Sequence, residues 1–329
     1  MKKFLKYTAY LVAAVILIAV AVASYITLAL PNVGQPENIK VDATPQRIER
    51  GKYLANNVTL CMDCHSTRDW TKYAGPMVAG TDGSGGEKFT AADGFPGSVE
   101  VPNLTPYHLS SWTDGELFRA ITTGVKKDGS AIFPLMPWPY YSKMDREDVY
   151  SIIAYIRSLK SIKTDQAASK LDFPLNILVH TMPQKASLGK LPDEKDTLKY
   201  GGYLVASAAC MECHSPVDKG KILPGMEFAG GREFVVPGQG TVRSTNITTD
   251  KVTGIGNWTK EQFVKQFKQY ADSTRKPVNV GPAQFQSVMP WYRYGALKVS
   301  DLEAMFAYIQ TIKAVKNKVT KFTPMETKD

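Results

Sequence analysis

One short motif occurs twice in the chain and uses all four of its cysteines. The stretch CMDCH covers residues 61–65, and CMECH covers residues 210–214. In each copy two residues separate the cysteines, and a histidine follows the second one. The fold must therefore hold two thiols and one imidazole close together at two separate points of the chain.

The sequence around the two motifs is duplicated as well. GKYLANNVTLCMDCHS matches GGYLVASAACMECHS, and LMPWPYYSKMDREDVYSIIAYI matches VMPWYRYGALKVSDLEAMFAYI. The matched blocks keep their order, and the repeated unit that contains them is longer than a solenoid repeat, so we predict two tandem domains of one fold. The predicted parts are an N-terminal segment at 1–31, domains at 44–162 and 193–315, a linker at 163–192 and a polar tail at 316–329.

Helical patterns dominate both halves. Apolar residues recur at helical spacing in the last block of each half, from Val149 to Leu159 and from Leu302 to Ile312. The best strand signal, REFVVPG at 232–238, is short. The sequence therefore predicts an all-α fold whose long loops pack against a buried cofactor. Three capping-box patterns predict helix starts: Thr113 with Glu116, Thr259 with Gln262, and Ser300 with Glu303.

Two cysteines at this spacing can form a redox dithiol, half of a zinc site or a disulfide. The adjoining histidine narrows the choice, because C-x-x-C-H is typical of covalent c-type haem attachment. A zinc site of four cysteines would have to merge the two halves, and it leaves both histidines unexplained. We therefore predict two covalent haems, each with the adjacent histidine on its iron. The predicted sets are Cys61, Cys64 and His65, and Cys210, Cys213 and His214.

Methionine is the predicted sixth ligand of each iron. Met136 and Met289 both precede Pro-Trp and the last amphipathic helix of their half. The proline fixes the direction of the chain, which suits a loop that holds a thioether at the iron. Met77 and Met226 form a competing repeated pair, but they follow their histidines closely and are expected to be core packing. Two histidines do not recur and are expected to be ordinary polar residues: His108 and His180.

The N-terminal residues predict a membrane anchor. Residues 7–30 are uncharged, and they are long enough to cross about 30 Å of hydrocarbon as a helix. Lys2, Lys3 and Lys6 precede this span, so the positive-inside rule predicts a single-pass protein of the inner membrane with its haem domains in the periplasm. A cleaved signal peptide, with AVA at 21–23 as the recognition site, is the alternative. The apolar run continues past that cut, which favours a retained anchor.

The charge of the chain bears on its partners. The formal net charge is +9, and the lysines are spread along the sequence without a basic block. This distribution argues against a nucleic-acid partner and favours a role in docking or solubility.

The chain resembles a membrane-anchored dihaem cytochrome c with two tandem class I cytochrome c domains. It is similar to the cytochrome c subunits of membrane-bound bacterial alcohol, aldehyde and gluconate dehydrogenases. Those subunits usually carry three haem domains, whereas this chain has two of the motifs. The resemblance implies helices wrapped around each haem, and redox proteins of the membrane or periplasm as partners. The matching stretches are CMDCH, VPNLTP, WTDGELFRAITTGVKKDG and PLMPWPYY, then CMECH, STNITTD, GIGNWTKEQF and VMPWY.

Two functions are consistent with these features. Histidine and methionine on one iron are the arrangement of electron-transfer cytochromes, in which methionine raises the potential. The first function is therefore an electron carrier without catalytic residues, between a quinol-oxidising or dehydrogenase complex and a terminal acceptor. The alternative is a dihaem redox enzyme, such as a peroxidase or a thiosulfate-oxidising cytochrome, which requires an open iron. The repeated Met-Pro-Trp loops favour the carrier.

Overall fold

The computed structural model describes residues 1–271 and 276–325. Helices are the main elements of these residues, and short strands lie in the loops between them. The helices are α1 Lys2–Ala29, α2 Pro45–Tyr53, α3 Cys61–Cys64, α4 Pro106–Leu109, α5 Asp114–Thr123, α6 Trp138–Tyr141, α7 Arg146–Ser158, α8 Leu175–Leu178, α9 Thr197–Ser207, α10 Cys210–Cys213, α11 Lys260–Lys268, α12 Trp291–Gly295 and α13 Val299–Ile309. The strands are β1 Lys88–Phe89, β2 Gly97–Glu100, β3 Lys170–Leu171, β4 Val217–Asp218, β5 Lys221–Ile222, β6 Glu233–Val236, β7 Gly240–Arg243 and β8 Phe322–Pro324.

The strands show where the all-α prediction was too simple. β1, β2 and β3 form one antiparallel sheet, and β6, β7 and β8 form another. β6 is the strand that REFVVPG predicted. Loop strands pair with each other, with β3 of the segment between the halves and with β8 of the tail, because a backbone N–H or C=O group that leaves water needs a hydrogen-bond partner. The fold is thus mainly helical with small sheets in its loops.

The capping boxes predict two of the three helix starts correctly. The side chains of Thr113 and Thr259 accept hydrogen bonds at the starts of α5 and α11, as predicted. The start predicted at Ser300 is wrong, because α13 already begins at Val299 and has Lys298 as its N-cap. The backbone N–H of Lys298 donates to the hydroxyl of Tyr53, 3.1 Å away in the first half. A tertiary contact therefore fixes this helix start.

The first and last helices of each half cross at a glycine. α2 packs on α7, and α9 packs on α13. A Cβ atom at Gly51 would lie 1.7 Å from the carbonyl oxygen of Ser151, and one at Gly201 would lie 1.9 Å from that of Ala304. No side chain fits at these distances, so the two glycines allow the helices to approach to backbone contact.

Equivalent residues of the two halves also join the halves to each other. The hydroxyl of Tyr53 donates to Asp301 at 2.5 Å, and the hydroxyl of Tyr203 donates to Asp148 at 2.6 Å. Both carboxylates are buried. Burial, assisted by the facing carboxylate, raises the pKa of both tyrosines, so they stay protonated and remain donors at neutral pH. The two tyrosine–aspartate hydrogen bonds therefore join the halves through equivalent residues, one in each direction.

α1 has the length and composition of a membrane span, and none of its residues is buried. It ends at Ala29, and the carbonyl oxygen of Leu30 lies 3.2 Å from Nδ1 of His180. His180, expected to be an ordinary polar residue, thus lies against the end of the helix. A helix of this kind near the N-terminus fits either a membrane anchor or a signal sequence.

The glycine crossings yield a stability prediction. Gly51→Ala and Gly201→Ala should each lower the free energy of unfolding by about 3 kcal/mol, since the new methyl group forces two helix backbones apart. Alanine favours a helix over glycine by about 1 kcal/mol, so helix propensity alone would raise the stability. A loss of stability therefore identifies the steric clash of the methyl group. Urea unfolding followed by circular dichroism measures it. The exposed neighbour Lys52 provides the control Lys52→Ala, which should change stability by less than about 0.5 kcal/mol. Alanine variants as stable as the parent would contradict the backbone contact between the helices at these two glycines.

Candidate haem sites

Each C-x-x-C-H motif is held in one short turn of helix. Leu60 and Ala209, just before the first cysteines, adopt the left-handed conformation with φ of 56° and 50°. α3 and α10 follow. The backbone N–H of each histidine donates to the backbone carbonyl oxygen of the first cysteine of its motif at 2.9 Å. One helical turn therefore carries both thiols and brings the imidazole next to them in each half.

Both histidines are oriented by the same hydrogen bond. Nδ1 of His65 lies 2.8 Å from the carbonyl oxygen of Pro102, and Nδ1 of His214 lies 2.8 Å from that of Thr245. A carbonyl oxygen only accepts, so Nδ1 carries the proton and Nε2 keeps its lone pair. Burial lowers the pKa of His65 to about 4 and also lowers the pKa of His214. Both rings are neutral at pH 7, as an iron ligand must be.

Two buried asparagines hold the segments that orient the histidines. Asn103 follows Pro102, and its Nδ2 donates to the carbonyl oxygen of Ile162 at 2.8 Å. Asn246 follows Thr245, and its Nδ2 donates to the carbonyl oxygen of Val315 at 2.8 Å. Both asparagines lie in the duplicated NLT and NIT stretches. The sequence alone did not indicate this role, although the duplication of these stretches was a signal for it.

The donor set fits a covalent haem. The four cysteines form no disulfide, and Cys64 and Cys213 are exposed. Within residues 1–271 and 276–325, no three His, Cys, Asp or Glu side chains converge as a metal site. Each motif instead presents two thiols on one turn and a neutral imidazole with a free Nε2. This is the chemistry that two thioether bonds and an axial ligand require.

The two Met-Pro-Trp loops have the same backbone geometry. Pro137 has φ −77° and ψ 46°, and Pro290 has φ −79° and ψ 63°. The N–H of Trp138 donates to the carbonyl oxygen of Met136 at 2.7 Å, and the N–H of Trp291 to that of Met289 at 2.8 Å. These are inverse γ-turns centred on proline. Both methionines are half-buried and pack against the same core as Cys61 and Cys210.

A tyrosine ties each Met-Pro-Trp loop to its cysteine motif. The hydroxyl of Tyr141 donates to the carbonyl oxygen of Thr59 at 2.5 Å, and the hydroxyl of Tyr294 donates to that of Ala208 at 3.1 Å. Each accepting residue lies two positions before the first cysteine of its motif. Neither tyrosine was predicted to have this role, although the two occupy equivalent positions in the aligned blocks. The structure thus links the loop with the predicted sixth ligand to the segment with the thiols.

The competing methionines have different surroundings in the two halves. A guanidinium nitrogen of Arg293 lies 2.6 Å from the sulfur of Met77. Met226 lines a shallow hollow together with Asn317 and Thr320 near the C-terminus. The two sites of this pair therefore lack the common geometry of the Met-Pro-Trp loops.

The cysteine motif of each half contacts the other half through equivalent positions. The hydroxyl of Tyr140 donates to Glu212, inside the second motif, at 3.2 Å. Arg293, the counterpart of Tyr140, lies 3.9 Å from Asp63, inside the first motif. Burial raises the pKa of Asp63, whereas the positive charges of Arg68 and Arg293 oppose the rise. The two motifs thus lie at the contact between the halves.

The curated proteins that are similar to this chain include cytochrome subunits of dehydrogenases and a diheme cytochrome. The cytochrome c subunit of a quinone alcohol dehydrogenase from Gluconacetobacter polyoxogenes is 24% identical over 236 residues, which cover 68% of this chain and 47% of the relative. The fructose dehydrogenase cytochrome subunit of Gluconobacter japonicus is 27% identical over 90% of this chain and 59% of the relative. A diheme cytochrome c-type protein of Cereibacter sphaeroides is 27% identical over 47% of this chain and 53% of the relative. No protein-family model matches the chain.

These similarities confirm the resemblance to dehydrogenase cytochrome c subunits. The names of these relatives, cytochrome c subunit and diheme cytochrome c, support the haem and electron-transport interpretation of the sequence. The chain spans about half the length of the alcohol dehydrogenase subunits that it matches.

The tyrosine contacts yield a second stability prediction. Tyr141→Phe and Tyr294→Phe should each lower the free energy of unfolding by about 1 kcal/mol, because a buried carbonyl oxygen loses its donor. Urea unfolding measures the change. Tyr308→Phe is the matched control, since the hydroxyl of Tyr308 makes no hydrogen bond within the described residues, and this variant should leave the midpoint unchanged. Equal midpoints for all three variants would contradict the prediction.

Proposed function

We propose that the chain is a dihaem c-type cytochrome that relays electrons, with one haem on Cys61 and Cys64 and the other on Cys210 and Cys213. The observation that carries this proposal is the matched environment of His65 and His214. Both imidazoles are neutral and oriented by a backbone carbonyl, so each offers one Nε2 lone pair; His65 is buried and His214 is half-buried. When bound, each haem supplies an iron that alternates between the ferrous and ferric states.

The residues of the chain have distinct roles in this proposal. The cysteine thiols would bind the haem covalently, and His65 and His214 would each be an iron ligand. Met136 and Met289 would each provide a thioether as the further iron ligand, on loops whose direction the proline turns fix. A closed, six-coordinate iron favours electron transfer over chemistry on a substrate. We accordingly assign no catalytic residue to the chain.

The contact between the halves supports direct exchange of electrons between the two sites. Tyr140 reaches the second cysteine motif, and Arg293 reaches the first one. Both cysteine motifs therefore lie at the contact between the two halves, and neither lies on the far side of its half. In the proposal, the two halves are tandem cytochrome c domains, at 44–162 and 193–315, that act as one relay.

The location follows from α1. We propose that α1 stays in the inner membrane as an anchor and that both haem domains lie in the periplasm. The names of the relatives support a dehydrogenase complex as the electron donor. The chain then passes electrons from a dehydrogenase or quinol-oxidising complex to a terminal acceptor, through docking with other redox proteins.

Two measurements test the relay. The intact mass of the purified protein should exceed that of the apoprotein by two haem units, and Cys61→Ala with Cys64→Ala should remove one of them. In stopped-flow experiments, the reduced protein should transfer electrons rapidly to ferricyanide. That rate should fall as salt screens the basic surface, because opposite charges speed the encounter.

The same preparation distinguishes the carrier from an enzyme. A carrier with closed irons should show negligible turnover of peroxide or thiosulfate. Sustained turnover at enzyme-like rates, above about 1 per second, would overturn the proposal. Haem that is extracted by acidified acetone would overturn the covalent attachment.

The ligand assignment has its own prediction. Met136→Ala and Met289→Ala should each open one iron to carbon monoxide and lower the potential of one haem, because methionine ligation raises it. The expected fall in the ferrous-to-ferric ratio is tenfold or more, which is about 59 mV for one electron. Redox titration and carbon monoxide difference spectra measure both effects.

Met77→Ala and Met226→Ala are the matched controls for that assignment. Each removes one half-buried methionine from the same half as its counterpart, and neither should admit carbon monoxide. If the control pair opens the irons and the Met-Pro-Trp pair does not, the two pairs have exchanged roles.

A further inference from the structure

The segment between the halves places an exposed apolar surface beside the end of α1. α8 and the turn Val179–Thr181 contact α1, and Nδ1 of His180 lies 3.2 Å from the carbonyl oxygen of Leu30. In this segment Phe173 is 79% exposed and Leu178 is 44% exposed, whereas Val179 is buried. We call residues 172–178 the linker patch. Phe173 and Leu178 are its exposed large apolar side chains, whereas Leu175 and Ile177 are half-buried.

The linker patch is also tied firmly to the first half. β3, directly before it, pairs with β2 through Gly97 and Leu171. The N–H of Asp172 donates to the carbonyl oxygen of Pro96 at 3.3 Å. The linker patch is therefore connected on one side to the domain with the first cysteine motif and on the other side to the end of α1.

The position of α1 determines what surrounds the linker patch. The apolar run of α1 ends at Leu30, so this residue marks the level at which the chain leaves the hydrocarbon. His180 is hydrogen-bonded to the backbone carbonyl oxygen of Leu30, and the linker patch lies next to His180 in the chain. Aromatic and aliphatic side chains at this level gain from contact with the acyl chains just below the headgroups.

We propose that the linker patch lies in the outer headgroup layer of the membrane, with Phe173 and Leu178 among the upper acyl chains. This inference rests on the proposed function, in which α1 is a retained anchor. The occupant is a phospholipid surface, because the exposed apolar residues continue the lipid-facing surface of α1. With α1 and the linker patch both in lipid, the first domain has two points of attachment. It is then held at a fixed tilt and a fixed height above the bilayer.

Photo-crosslinking of the full-length chain in phosphatidylcholine nanodiscs tests the proposal. A p-benzoylphenylalanine side chain is introduced at the position of Phe173, or separately at that of Leu178, and the discs are irradiated. Intact mass should increase by one phosphatidylcholine for both probes. The same probe at Val252, which is 81% exposed in the second half, is the matched control and should give no lipid adduct.

A probe at Leu28, which is 87% exposed near the end of α1, tests the membrane anchor separately from the membrane contact of the linker patch. Adducts at Leu28 without adducts at Phe173 and Leu178 would show that the linker patch does not contact lipid, although α1 is a membrane anchor. This result would overturn the proposal. No adduct at Leu28 would overturn the anchor itself. Crosslinks from Phe173 to a second copy of the chain would assign the surface to a protein contact, which also overturns the proposal.

Discussion

Two glycines allow the first and last helices of each half to touch through their backbones. At Gly51 and Gly201 even one methyl group would overlap a carbonyl oxygen of the facing helix. Because the helices lie so close, the tyrosine two positions after each glycine emerges at a defined place beside the other half. The bonds from Tyr53 to Asp301 and from Tyr203 to Asp148 depend on that placement.

These tyrosine–carboxylate bonds stabilise the contact between the halves for a simple electrostatic reason. Asp148 and Asp301 are buried, and a buried carboxylate without donors is costly. Asp148 receives hydrogen bonds from Arg50 and Tyr203, whereas Asp301 receives them from Tyr53 and Tyr200. Separation of the halves would remove one donor from each carboxylate. The contact is therefore held by paired polar groups that only this arrangement satisfies.

The orientation of the two imidazoles depends on more distant residues. A backbone carbonyl fixes the tautomer of each histidine, and a buried asparagine fixes the segment that carries this carbonyl. Support of this kind keeps a ligand in one orientation and keeps its lone pair available. The duplication of the whole arrangement is the reason to treat the two halves as sites of the same kind.

The sequence alone determined the local features of this protein. The C-x-x-C-H motifs, the capping boxes at Thr113 and Thr259, the apolar stripes of the last helices, the strand at 233–236 and the apolar span of α1 depend on neighbouring residues. Local patterns are enough to predict such features. The tertiary structure decided the rest, because the remaining features join residues that are distant in sequence. These are the start of α13 at Val299, the pairing of loops into small sheets, the bond from Tyr141 to Thr59 and the contacts of Tyr140 and Arg293 across the halves. No local pattern reports which buried carbonyl or carboxylate a distant donor will meet, since that depends on how closely the helices pack.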